Sequence, residues 1–450
     1  MTSLTGLFSA GVSGMNAYAS QLDGISTNIA NLSTIGFKVQ ATHFNDANVS
    51  TNDLLNQNGI VQSRVVNRIS QQGAFQQSAD VSNLAVNGNG YFAVQTPFQT
   101  VSATGLTPVF TSATTQYTRQ GDFEKDANGY LVNSAGNYLQ GIPLANGTST
   151  GVLATATAVP IQLSATATSA AVATTNVTGS LNFPPDAATG AVFTQSVQIY
   201  DSTGASQTVP LNWTKLATPA NSWSVAAGTL PSGITSVTPT NGTLTFNDDG
   251  TLAPGSAGAA ANGAVSIGLS VAYNGGTATS PQAVALNLGT AASGTVTTAT
   301  GYTGGLGSTQ VATGAGGSLT VRSMTSDGYP VGTLTGFTIG ADGVVSQTFS
   351  NNQSVAVYRV PLTTFPNADG LRPVSSTLFA QNDLSSGVGT SKWPGEAGAG
   401  KILPKTLELS TADTTQQFTD MIQAQRAYSA NSKTVTTADE MMTTAIGMLR

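Results

Sequence analysis

Glu124, Asp126, Asn128 and Gly129 set oxygen donors at alternate positions, the way a calcium loop begins. The bidentate carboxylate that such a loop needs at its twelfth position is missing, because Ala135 stands there. Asn128-Gly129 reads instead as a hairpin turn. His43 is the single histidine, and the chain has no cysteine. Thiolate ligands, thiol nucleophiles and disulfides are therefore excluded, and His43 lacks a second His or Cys for a metal site. Val86-Asn87-Gly88-Asn89-Gly90 has glycines suited to a phosphate loop, but no third glycine and no helical pattern follows. Asp248 and Asp249 are adjacent and would point apart in a strand, so they read as a turn rather than an acid–base pair. Asn146 opens an Asn-Gly-Thr sequon, which matters only on a secretory route. The expectation is no catalytic, cofactor-binding or metal residue, and no enzyme.

What the chain does carry at regular spacing is apolar surface. Met421, Tyr428, Val435, Met442 and Leu449 recur at seven-residue steps, with Phe418 and Ile446 on the neighbouring position. Ile422, Ala424, Ala438, Met441 and Ala445 widen the stripe. Ser410 and Asp413 form a start signal, and no Gly or Pro interrupts the run before Gly447. A helix over 410–450 would be about 60 Å long, which calls for a partner along its length. Leu4, Phe8, Gly11, Met15, Tyr18, Leu22, Ile25, Ile29 and Leu32 alternate four-three spacing and supply that partner, with Gly36 as the expected stop. These two stripes are the predicted assembly seam.

The other faces of the first helix explain why we read it as an assembly device. Between Met1 and Phe37 the only charged residue is Asp23, where a solvated helix carries Lys and Glu. Ser9, Ser13, Asn16, Ala17, Ser20, Gln21, Ser26, Thr27 and Asn28 occupy the off-seam positions, and Gly6, Gly11 and Gly14 lower helix propensity further. Such a helix is marginal alone and orders when packed on several sides. Small uncharged side chains also let helices of neighbouring copies approach closely.

Only 8% of residues are charged and the net charge is −6, which argues against a nucleic-acid surface. No run reaches the roughly 18 apolar residues that span a bilayer, so no membrane insertion is expected. The first basic residue is Lys38, so a signal peptide with a basic leading region is not expected either.

The chain divides by composition. Residues 1–36 and 410–450 are the expected terminal coiled-coil core, and 37–71 an extended connector. Residues 72–144 and 322–409 form an inner β domain. There, 84–94 reads as two strands about an Asn-Gly turn, and 117–132 as a further hairpin. Residues 145–321 carry only Asp186, Asp201, Lys215, Asp248 and Asp249 as charges, and read as an inserted outer β domain. Its strand candidates are 192–200, 209–213 and 265–273, and 355–360 is another in the inner domain. The fold class is α+β, mainly β, with long terminal helices pairing as a coiled coil around nested β domains. Chain order then maps onto radial order.

Asn28-Ile29-Ala30-Asn31-Leu32-Ser33-Thr34-Ile35-Gly36-Phe37-Lys38 resembles the N-terminal motif shared by flagellar rod, hook and hook-associated proteins. Gln425, Arg426, Tyr428 and Asn431, within 421–433, resemble their C-terminal motif, and 84–94 with 117–132 resemble their β-domain blocks. The full length and the large insert favour the hook members over the shorter rod proteins. The resemblance implies an extracellular structural subunit without cofactors, exported by the flagellar type III apparatus with no cleaved signal. It further implies a homopolymer, a curved tube between rod and filament. The implied partners are the rod, a hook cap, the hook-length control protein and the hook–filament junction proteins. A rod or hook-associated subunit is the alternative within the group. A secreted carbohydrate-active enzyme on a β scaffold is a more remote one, and it would need a cleft with paired carboxylates.

Overall fold

Two long helices and many short strands follow from the switch between heptad and period-two patterning. The structure, a computed structural model, describes residues 2–46, 60–96, 98–102, 105–109, 115–144, 157–164, 166–253, 256, 264–274, 278–291, 307–311, 317–396 and 398–448. It divides into two compact units. One comprises Met1–Ala167, Thr335–Thr348 and Ser354–Arg450, and the other Thr168–Leu334 and Phe349–Gln353.

Helices α1 (Thr2–Ala30) and α2 (Thr414–Gly447) lie in the first unit. The α2 cap is Asp413, whose carboxylate accepts from the Gln416 amide at 2.9 Å, so the helix starts later than the Ser410 signal suggested. Their many hydroxyls are satisfied within the helices themselves. Ser20 donates to the Asn16 carbonyl, Ser26 to Leu22, Thr434 to Ala430 and Thr444 to Glu440. A Ser/Thr-rich helix can then meet another surface without unpaired donors.

Helix α1 stops at Ala30, earlier than Gly36. Asn31 donates its side-chain amide to the Thr27 carbonyl and accepts from the Thr34 hydroxyl, so local polar bonds replace helical ones. Gly36, at φ +69°, serves a different purpose from capping: a Cβ there would stand 2.6 Å from the Gln120 amide nitrogen. The connector is a paired ribbon, β1 (Gln40–Asp46) with β2 (Val61–Asn67), in register His43 opposite Arg64. It is fastened to α1 by reciprocal bonds between the Asn28 amide and the Gln40 backbone, both 2.9 Å, and by the Val61 amide donating to Ser13 at 3.2 Å.

Strands β3 (Phe75–Gln77), β4 (Leu84–Asn87) and β5 (Tyr91–Gln95) begin the β part of this unit. β4 and β5 are both present, but they do not form the hairpin expected around Asn87–Gly90. β4 pairs with Lys401–Pro404, while β5 pairs with Gln116–Thr118, Tyr138–Pro143 and Leu362–Thr364. Distant strands outbid the local turn signal because both strands are buried on both faces. Phe123–Lys125 and Leu131–Asn133 do pair across the Asp126 turn, whose carboxylate accepts from the amides of Asn128 and Tyr130. Phe92 meets Phe123 edge-on at 5.7 Å in the core.

Most of the described strands of the second unit fall in two sheets. One orders Val192–Tyr200, Ser206–Lys215, Ser222–Ala227 and Thr243–Thr245. The other orders Ile234–Thr240, Ala264–Tyr273, Gln282–Thr290, Asn176–Asn182 and Thr320–Ser326. Strict alternation buries Val265, Ile267, Leu269 and Val271 and leaves Ser, Gly and Ala on the other face. Phe183 joins Trp213, Trp223 and Phe246 at 5.1–5.3 Å in the same core. Asp249 caps its own turn through Thr251, whereas Asp248 accepts from Asn221.

Asp327 closes this unit by binding Thr175 and Asn176. Partial burial pushes its carboxyl up, but hydrogen bonds from the Thr175 hydroxyl and the Thr175 and Asn176 amides outweigh burial and hold it below its ordinary 3.8. A depressed folded pKa stabilises above the unfolded value and is lost as pH falls through the folded one. We therefore expect Asp327→Asn to flatten the acid limb of the unit's denaturation midpoint below pH 4. An unchanged acid limb would show that Asp327 does not couple to folding.

Candidate functional site: where the chain ends meet

Helices α1 and α2 run antiparallel: Gly11 lies by Val435, Gly14 by Asn431, and Asn28 donates to Gln417 at 2.8 Å. The contact is built from small and polar residues. Gln417, Ala424 and Ala438 are the buried residues of α2, and with half-buried Asn431 they form a column at seven-residue steps. Gly11, Gly14, Ala17, Gly24, Ile25 and Asn28 are buried on α1. A Cβ on Gly11 would stand 2.7 Å from a Val435 methyl, so glycine is what permits the approach.

Of the predicted seam residues, Ile25 is buried, and Met15, Tyr18, Leu22, Ile29, Leu32, Met421, Val435 and Met442 are half-buried. Phe8, Phe418 and Tyr428 are exposed in the single chain. The Leu4 side chain and Leu449 lie outside the described residues. The seven-residue period is present, but the most buried column is set three residues from the large apolar one. Ala424 and Ala438 of that column belong to the widened stripe expected from the sequence, whereas weighting residues by hydrophobicity hides Gln417 and Asn431.

The N-terminal motif sits where α1 meets the β region. Asn28, Gly36, Phe37 and Lys38 are buried, Asn31 and Thr34 half-buried, and Ala30 exposed. Gln425 and Arg426 are exposed, and Asn431 bonds back to the Ala427 carbonyl at 3.0 Å.

Lys38 leads to a cluster that the sequence did not reveal. Its ammonium donates to Glu408 at 2.5 Å and to the Gln71 carbonyl at 2.6 Å, and both Lys38 and Glu408 side chains are fully buried. The same Glu408 oxygen accepts from the Gly73 amide at 2.8 Å, and the other accepts from Arg119 at 3.3 Å. Arg119 also donates to the Val86 and Gly88 carbonyls and stacks on the Tyr91 ring at 4.8 Å. One acid thus faces two cations, and backbone carbonyls meet the remaining charge. Burial lowers the Lys38 ammonium below its ordinary value although Glu408 opposes this, and burial raises the Tyr91 phenol to about 12. Nearby, the Gly36 amide donates to the Glu408 carbonyl at 2.8 Å and Thr411 to Phe37 at 3.1 Å.

The cluster joins both chain ends to the connector and to the β strands. The Glu408 carboxylate is fully buried and its oxygens are taken up by two cations and an amide, so the arrangement is a clamp rather than a site open to a reactant. Lys38 and Glu408 are 370 positions apart, and each looks ordinary locally. Their one visible signal is that charge is scarce in this chain.

The chain matches four family models in order. "Flagella basal body rod protein" covers residues 8–38 and "Flagellar hook protein FlgE/F/G D1 domain" 85–179. "Flagellar basal body protein FlaE D2 domain" covers 162–329 and "Flagellar basal body rod FlgEFG protein C-terminal" 404–448. It is 33% identical to the flagellar hook protein FlgE of Brucella abortus and 32% identical to that of Rhizobium meliloti, each across 100% of both chains. The crystal structure of Helicobacter pylori flagellar hook protein FlgE2 aligns with TM-score 0.37 and 16% identity, over 74% of this chain and 100% of that one.

Proposed function

Because the chain belongs to the flagellar hook protein family, we propose that it polymerises through its paired terminal helices into a curved tube that carries motor torque from rod to filament. It is a structural subunit of the bacterial flagellar hook. The observation that supports the finer reading is the α1–α2 contact, antiparallel and closed by small side chains, which leaves large apolar residues such as Phe418 and Tyr428 on the outside. In our reading the pair is a coiled coil, and residues 1–36 and 410–450 form the polymer core. The exposed seam residues are covered there by other copies. The low charge suits this role, since close packing of many identical chains would otherwise bring like charges together.

The reading extends to export through the flagellar type III apparatus without a cleaved signal. It also extends to contacts with the rod, the hook cap, the hook-length control protein and the hook–filament junction proteins. Electron microscopy of the polymer grown from the purified full chain tests it. Curved tubes are expected, and straight rods would favour a rod subunit instead.

A further inference from the structure

Asn28 of α1 is 1% exposed. Its side-chain oxygen accepts from the Gln40 amide and its nitrogen donates to the Gln40 carbonyl, both at 2.9 Å, so β1 fixes the way this side chain points. The remaining N–H is aimed at α2, where the Oε1 of Gln417, 5% exposed, accepts it at 2.8 Å. Among the described residues this is the one hydrogen bond that joins α1 to α2. The rest of the α2 column gives no such direction: Ala424 and Ala438 have no polar side chain, and Asn431 bonds back to Ala427.

Hydrophobicity alone would turn α2 differently. Its column is flanked on one side by Met421, Tyr428, Val435 and Met442, and on the other by Asp420, Ala427 and Thr434. Four residues advance roughly 40–50° past a full turn. Turning α2 about its own axis by that angle would swing the large apolar flank onto α1 and release the polar flank to water, with no slip along the axis. Tyr428, 40% exposed, shows that this burial is not taken.

We propose that the Asn28–Gln417 bond is a rotation lock. β1 aims Asn28, Asn28 holds Gln417, and α2 is thereby kept with its small column on α1 and its large apolar flank turned away. Turning would leave a buried N–H of Asn28 without an acceptor, because the two bonds to Gln40 keep that side chain from following. Asn28 and Gln417 are thus positioning residues. The consequence for assembly rests on the hook-subunit reading: the lock keeps the flank that other copies cover from being buried inside its own chain.

Thiol labelling of the purified chain reads the rotation directly, because the chain has no cysteine of its own. Ala424→Cys reports on the column and Met421→Cys on the apolar flank. With Gln417 in place, the Ala424→Cys chain should label several-fold more slowly than the Met421→Cys chain. Adding Gln417→Met, which keeps the length and loses the acceptor, should reverse that order. Gln417→Glu keeps an acceptor oxygen near the positive start of α2 and should restore it. A bond that merely stabilised the helix pair would, on its loss, speed both reporters together, and that result overturns the lock. Equal labelling of the two reporters with Gln417 present overturns it as well, as does an order that Gln417→Met leaves unchanged. Without the reporter cysteines, Gln417→Met should form several-fold fewer hooks and Gln417→Glu wild-type numbers. Reversed labelling with normal hooks from Gln417→Met would leave the lock standing and overturn the apolar flank as the surface that other copies cover. A wild-type chain that never polymerises counts against the hook reading alone, and the labelling still decides the lock.

Discussion

Glu408→Ala will destabilise the unit that carries the chain ends by about 3–5 kcal/mol, the cost of leaving buried charge without its partner. The substitution removes the one anion facing Lys38 and Arg119, both buried, and the acceptor of the Gly73 amide. Lys38 has only the Gln71 carbonyl left, and the Arg119 Nε already lacks a partner. Glu408→Gln should cost nearly as much, because it keeps the shape and loses the charge. Replacing Lys38, Arg119 and Glu408 together by Met, Met and Leu should recover most of the loss, since apolar residues of like volume need no partner. Urea denaturation of the purified chain measures all three. Trp213 and Trp223 report on the other unit and should keep their midpoint, whereas Trp393, stacked on Arg359, should shift. A Glu408→Ala midpoint within ~0.5 kcal/mol of wild type, as for an ordinary surface change, would mean that the cluster clamps nothing.

The helices were legible because their signals are local: an unbroken periodic run and a capping Asp413. The strand of 192–200 was legible for the same reason, and those of 209–213 and 265–273 lie inside longer strands, Ser206–Lys215 and Ala264–Tyr273. What was not legible depends on residues far apart in the chain. Leu84–Asn87 and Tyr91–Gln95 take partners from 401–404 and 362–364, which no turn residue between them announces. The buried column of α2 was legible only in part: Ala424 and Ala438 fall in the widened stripe, but Gln417 and Asn431 do not look like a core. They become one only against a helix that offers Gly11, Gly14 and Ala17. The Lys38–Glu408 pair is the extreme case, with its meaning held entirely in the fold.

Val435→Asp will abolish polymer and motility while leaving secretion and the β regions intact. In the single chain Val435 is half-buried, with a methyl that would stand 2.7 Å from a Cβ on Gly11 where the two helices meet. An aspartate there puts an unpaired carboxylate beside a glycine backbone and apolar neighbours, and the described residues of α1 offer no cation to meet it. Burying such a charge costs several kcal/mol. The helix pair cannot absorb that, because its Ser, Thr and Gly content gives it little intrinsic stability. Gln423 lies on the exposed side of the same helix, so Gln423→Lys adds a charge with little burial and should still assemble. The comparison needs secreted protein levels, circular dichroism of the monomer and a count of assembled hooks for both variants. Equal secretion with hooks from Gln423→Lys alone is the expected pattern. Normal hooks from Val435→Asp would mean that the α1–α2 contact is dispensable in the polymer, and the helical core would have to be built from some other pairing of the chain ends.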